Sequence, residues 1–247
     1  MKLPEENFKI KNNNKSMSFL VSEKELVNKF INLQDIFLRE IKIKHSPKME
    51  HEEEVDIGYG ISDIFYYNVS KEVVCDRKKI SNIKIKDRNL IETLIKIGKK
   101  ERISINQLNK ITNHLSPYSQ KKVIKNLIDN NFIHENSLKK EIFCVTKKYY
   151  PRFDNSIAIE AKLKNWKRAL FQAHRYNFVA DQSFVVLPEK FMKPAIKNIS
   201  YFIHYNVGLI GVTKDTIKVH YVPKKNPSKY KNKVMTGYTL ENLIFKN

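Results

Sequence analysis

Glu160 and Lys162 close the run Ile157-Ala158-Ile159-Glu160-Ala161-Lys162. The run is apolar and β-branched up to its acid, so it reads as a buried strand. Strand side chains alternate, which puts Glu160 and Lys162 on one face and Ala161 on the other. An acid and an amine therefore point into one place. In the helical pattern that follows, Ala169, Gln172, Ala173 and Tyr176 recur at three- and four-residue spacing, so Gln172 and Tyr176 share the stripe that packs. A carboxylate, an ammonium and an amide converge where strand gives way to helix. The bland alternative is an exposed strand end with a solvated ion pair, which contributes little.

A second acid lies far upstream. Two of the six glycines flank Tyr59 in Ile57-Gly58-Tyr59-Gly60-Ile61-Ser62-Asp63-Ile64, marking a bend between two strand-like runs. Asp63 opens the second run. An Asp leading into an apolar strand is costly unless paired, so it is either a turn-capping residue or a metal ligand, with Asp56 the fallback. Taken in order, Asp63, Glu160-Ala161-Lys162 and Gln172-Ala173-His174-Arg175-Tyr176 resemble the PD-(D/E)xK nuclease superfamily, the fold of many restriction enzymes, resolvases and RecB-type nucleases. The resemblance spans roughly residues 21 to 84 and 151 to 222, and Ser62 stands where many members carry Pro.

That resemblance implies a restriction-endonuclease-like α/β fold, a mixed sheet flanked by helices. It also implies a DNA endonuclease dependent on Mg2+, with Mn2+ able to substitute. By resemblance Asp63 and Glu160 bind the ion together with the Ala161 carbonyl, and Lys162 orients the attacking water or stabilises the phosphate. Gln172 and Tyr176 would support the water or the DNA backbone. A first-helix Glu often reaches the metal in similar families, and Ser22-Glu23-Lys24-Glu25-Leu26-Val27 looks like that segment. Ser22 and Glu25 form a capping-box pattern, and the apolar stripe Leu26, Val27, Phe30, Ile31, Leu33, Phe37 and Leu38 puts Glu23 on the packed side. Glu23 is thus chosen over Glu25 to help place a second ion; the alternative is that both are first-turn carboxylates favoured by the helix dipole.

Charge points the same way. The chain has 247 residues, 41% of them apolar, enough for one large domain or two modest ones. Its formal charge is +20, a field that attracts polyanions. A coding bias toward Lys would favour Glu equally, so the sign of the excess calls for a partner. Nucleic acid, as double-stranded DNA, is the first expectation; an acidic or ribosome-like partner comes second and an anionic membrane third. No segment has the length and apolarity to span a membrane, and residues 1 to 6 lack a secretory signal's apolar core. Cys75 and Cys144 have no Cys-x-x-Cys partner and sit in β-like runs, so they read as reduced core fillers in a cytoplasmic protein.

The remaining elements position those residues. Residues 1–20 read as a flexible arm and 21–85 as the first part of the nuclease-like domain. Within it, 44–53 reads as a loop and 71–85 as a strand or hairpin. Residues 86–150 switch to three short helices and two strands, an order similar to a winged helix. There Tyr118, Ser119, Gln120, Lys121 and Lys122 would start the recognition helix, and Lys139 and Lys140 would occupy the wing tip, in reach of bases or phosphates. The alternative is a helical insertion that braces the fold or mediates dimerisation. Residues 151–223 complete the sheet by strand–helix–strand alternation, with parallel strands and right-handed crossovers. One helix is expected over 191–205 with Ala195, Ile199, Phe202 and Ile203 inward. Residues 224–247 read as a basic loop, disordered or a strand-clamping arm, with a short docking helix over 239–245. Two other functions remain open at this point: a non-catalytic DNA-binding regulator or assembly factor on a nuclease-like scaffold, and an RNA-binding protein. Paired-strand cutting would suit a homodimer.

Overall fold

The computed structural model describes residues 22–42, 49–98, 100–136, 141–146 and 149–246. The expected arm over 1–20 lies outside them, as do residues 43–48 and the turn holding Lys139 and Lys140.

The chain opens with α1 (Glu23–Asn32), whose N-terminus is closed by the capping box: Glu25 N donates to Ser22 Oγ at 3.1 Å, and Ser22 N donates to a Glu25 carboxylate oxygen at 3.3 Å. The helix breaks at Leu33, and α2 (Gln34–Glu40) follows, so one expected helix is two. Strands β1 (Glu50–Asp56) and β2 (Ile61–Asn68) form an antiparallel hairpin. The loop expected over 44–53 is corrected in its second half: Glu50 to Glu53 form an edge strand whose acids the sheet border tolerates. Gly58 turns the chain at φ +81°, where a Cβ would also collide with Met235 Sδ.

Residues 71–80 correct the strand expectation: they form α3 (Lys71–Ile80), capped by Ser70 Oγ. Val73 and Val74 suggest a strand, but the cap and the i, i+3 pair Arg77 and Ile80, both buried, set the helical period. Cys75 therefore lies exposed on a helix and fills no core. Next come α4 (Arg88–Ile97), β3 (Arg102–Ser104), α5 (Ile105–Thr112), α6 (Pro117–Asp129), β4 (Ile133–Glu135) and β5 (Ile142–Val145). The three strands form their own antiparallel sheet in the order β3-β5-β4. Leu90, Ile91, Leu94, Leu108, Val123, Leu127, Phe132 and Phe143 fill the core between helices and sheet.

The chain then returns to the large sheet with β6 (Asn155–Ala161), α7 (Trp166–Tyr176), β7 (Gln182–Pro188), α8 (Lys193–Lys197), α9 (Ile199–His204), β8 (Gly208–Val212), β9 (Ile217–Tyr221) and α10 (Lys233–Ile244). The helix expected over 191–205 is broken at Asn198, and Ile203 faces solvent. The C-terminal segment is stitched down: Asn226 N donates to Asp181 O, Lys231 pairs with Asp181 at 2.6 Å, and α10 begins at Lys233, ahead of the docking helix expected from Thr239.

The large sheet is six-stranded and mixed, in the order β1-β2-β6-β7-β8-β9, with β6, β7 and β8 parallel. Helices cover both faces, making an α/β architecture. Leu26, Phe30 and Phe37 pack against Ile64, Tyr66, Ile159 and Phe184 on one side. Ala169, Ala173, Tyr176 and Phe202 pack against Phe65, Ala158, Val185 and Leu187 on the other. All seven residues of β7 are buried, as a central parallel strand requires.

Candidate active site

The antiparallel register of β2 and β6 pairs Ile64 with Ile159, so one step further Asp63 stands opposite Glu160. Both side chains point to the α7 side, like their i+2 and i−2 neighbours Phe65 and Ala158. The Ala161 amide donates to Asp63 Oδ2 at 2.6 Å, locking that carboxylate against the end of β6. Lys162 lies just past the strand, where its chain reaches round the sheet end. Its Nζ is 3.0 Å from Glu160 Oε1, 3.0 Å from the Ala161 carbonyl oxygen and 3.9 Å from Asp63 Oδ2. It also donates to Glu23 Oε2 at 3.0 Å, so α1 on the opposite face of the sheet contributes to the same cluster.

Tyr176 completes it. Its hydroxyl lies 2.6 Å from Glu160 Oε2 and 2.7 Å from the Ile61 carbonyl oxygen. A phenol has one proton to give, and here two acceptors face it. The hydroxyl proton is shared between the Glu160 carboxylate and the Ile61 carbonyl oxygen. Burial, followed by the charge of Asp63, raises the pKa of Glu160, opposed by the Tyr176 hydroxyl and by Lys162. Burial likewise raises Asp63, helped by Glu23 and Glu54 and opposed by the Ala161 amide and Lys162. Burial disfavours the charge on Lys162, but the hydrogen bond to Glu23 and the carboxylates of Glu160 and Asp63 outweigh it and raise its pKa. Lys162 is therefore a cation at neutral pH.

Around that ammonium lie only oxygens, two carboxylates, a third from α1 and one backbone carbonyl. Oxygen donors of this kind are the ones a hard divalent cation takes. Among the described residues no three His, Cys, Asp or Glu side chains close on one point, because the three carboxylates are gathered by Lys162 and not by each other.

Other expectations fall differently. Asp56, the fallback, is taken by α10: its Oδ2 accepts from Tyr238 OH at 2.9 Å and its Oδ1 from Gly58 N at 2.8 Å. Tyr176, expected at the DNA backbone, is fully buried and touches Glu160 instead. Gln172 lies on α7 with its Oε1 buried and without a hydrogen-bond partner. On α6, Tyr118 is 78% exposed and Lys121 and Lys122 are exposed. Gln120 is turned inward, its amide donating to Thr112 Oγ1 at 3.0 Å and Asn109 O at 3.2 Å, so it braces α5 and faces no groove. Ser119 belongs to the helix cap, its hydroxyl 3.0 Å from that of Ser116. The part of Ile61, whose carbonyl holds the Tyr176 hydroxyl, leaves no trace in the sequence, since a backbone acceptor has no residue signature.

No protein-family model matches the sequence, and neither the curated proteins nor the solved structures include a match. No helix among the described residues is long and apolar enough to cross a membrane.

Proposed function

We propose that the chain is a metal-dependent DNA endonuclease of PD-(D/E)xK type, in which 86–150 is a winged-helix-like module that binds DNA. One observation carries the reading: Asp63 and Glu160, far apart in the chain, meet across two paired strands with Lys162 between them. A scaffold has no evident use for a buried Glu160 and a half-buried Asp63 whose pKa values burial raises, whereas a phosphodiester hydrolase needs such a pair.

Asp63, Glu160 and the Ala161 carbonyl would hold Mg2+, or Mn2+ in its place, with Glu23 near a second position. When bound, the ion supplies Lewis acidity at the scissile phosphate. The chain's own residues do the rest. Lys162 remains charged, so it orients the attacking water and screens the negative charge growing on the phosphate, and does not remove a proton. Tyr176 fixes the rotamer of Glu160 through its hydroxyl, and Ile61 fixes Tyr176. The charge of +20 draws the polyanion in, and Tyr118, Lys121 and Lys122 on α6 supply a protruding contact surface for double-stranded DNA. Cutting both strands of a duplex would use a homodimer.

The test is cleavage of supercoiled plasmid and of branched DNA in Mg2+ and in EDTA, with Lys162→Ala as the control. Metal-dependent nicking that the variant loses supports the reading. Equal activity in wild type and variant rejects the assignment, and salt-sensitive binding without turnover favours a regulator on a nuclease-like scaffold.

A further inference from the structure

Helix α7 has a second face. Ala169, Ala173 and Tyr176 pack inward, while Arg168, Phe171 and Arg175 are all exposed and follow one another at spacings of three and four. At 1.5 Å per residue they form a row about 10 Å long, two guanidiniums with a ring between them. Phe171 is 55% exposed, yet its ring is held from behind. It meets Tyr205 edge-on at 5.7 Å, and His174 packs on Tyr205 at 4.9 Å. Neither arginine is engaged in an ion pair among the described residues.

The row runs into the candidate site. A Cβ built on Gly60 would lie 3.7 Å from an Nη of Arg175 and 3.5 Å from the Tyr176 ring. Gly60 precedes Ile61, whose carbonyl holds the hydroxyl that touches Glu160. On the same helix the buried Oε1 of Gln172 has an acceptor lone pair and no donor.

We propose that this row is the track for an unpaired DNA strand, in which Arg168 and Arg175 hold phosphates and Phe171 stacks an exposed base. The inference rests on the nuclease reading and names its substrate class: DNA with a single-stranded segment beside the scissile bond. The choice of occupant follows from the ring. A duplex hides its base faces in the stack and shows a protein only edges, sugars and phosphates, so an exposed ring between two cations finds a partner face only on an unstacked base. Arginine also matches a phosphate in a planar, two-pronged way.

The test is fluorescence anisotropy in EDTA, so that binding is read without cleavage, comparing a blunt duplex with the same duplex carrying a thymidine tail. Phe171→Ala is expected to weaken the tailed DNA about tenfold and leave the blunt duplex unchanged, with Phe171→Tyr restoring the affinity. Arg168→Ala combined with Arg175→Ala is expected to lower the salt slope for the tail by about 1.4, the share of two single-strand phosphates. The charge-matched pair Lys78→Ala and Lys79→Ala, on exposed positions of α3, serves as the control. An equal effect of Phe171→Ala on both DNAs, or none on either, overturns the proposal, as does a control pair that flattens the slope equally. Unchanged melting temperatures show that each variant is folded. Cleavage in Mg2+ is scored separately: tail-selective binding by a wild type that cuts nothing keeps the track and removes the nuclease reading.

Discussion

The carboxylate of Asp63 is held where its charge is unwelcome, and stability should record it. Its folded pKa is raised, so between the ordinary and the raised value the folded chain binds more protons than the unfolded one, and stability falls as pH rises through that window. Glu160 has the same sign. At neutral pH the pair therefore destabilises the fold. Asp63→Asn keeps an acceptor for the Ala161 amide and removes the charge, so its melting temperature is expected to rise, on the order of 2–4 °C for each kcal/mol regained, while DNA cleavage is lost. Mg2+ or Mn2+ should raise the melting temperature of the wild type, more strongly at higher pH as the carboxylates deprotonate, and leave Asp63→Asn unmoved. A melting temperature that drops in Asp63→Asn would show the carboxylate to be a structural partner. Tyr176→Phe makes a separate point. If the hydroxyl positions Glu160, kcat falls about 10–100-fold with KM little changed; contact with DNA would raise KM instead. Alternation along β6 is enough to read Glu160 in the sequence, and the cost of an Asp at a strand start is enough for Asp63. The reach of Tyr176 is not legible there, because periodicity tells which stripe packs and says nothing of where a long side chain ends.

At the scale of elements, the helices and strands of the large sheet are legible wherever one period runs unbroken, as in β6, α7 and β7. The departures share a cause. In α3 two adjacent valines imitate a strand, and in 191–205 a continuous apolar stripe conceals a break at Asn198, since local pattern does not encode a change of axis. Equally hidden is the buried pair that ties α3 to α10. Arg77 donates to both oxygens of Glu241 at 2.6 and 2.9 Å, and Glu241 also accepts from Ile85 N and Tyr149 OH. Both side chains are almost wholly buried, and the Arg77 guanidinium lies 4.6 Å from the Phe245 ring centre. No residue pattern reveals a pair 164 positions apart. Removing one partner leaves a buried charge without its counter-ion, so Glu241→Ala is expected to lose about 3–5 kcal/mol by urea denaturation. A loss under about 1 kcal/mol, the range of an exposed pair, would show that water reaches Arg77 in the folded state.

Across the whole molecule, the same clamp makes the inserted helices and small sheet part of the body that carries the candidate site. Ile80 and Ile85 before the insert and Tyr149 at its end lie in one core with Leu90, Leu108 and Val123, and Val234 and Tyr238 of α10 pack against it. The sequence reveals the insert as a change of period, but not that its core is shared, since that depends on where α10 returns. On the proposed reading, a DNA contact on α6 is thus held at a fixed offset from Asp63 and Glu160, and it should act on binding and not on chemistry. Lys121→Ala combined with Lys122→Ala is expected to flatten the dependence of log affinity on log salt by about 1.8 for duplex DNA, the share of two phosphates, and to raise KM. The value of kcat at saturating DNA should stay put, because neither lysine touches the carboxylates. The two lysines and the α7 arginines lie on separate elements, so their effects on binding free energy should add within about 0.5 kcal/mol. A fall in kcat with an unaltered salt slope would mean that the insert changes the shape of the catalytic cluster, and the lysines of α6 would then be surface charges with no strand beneath them.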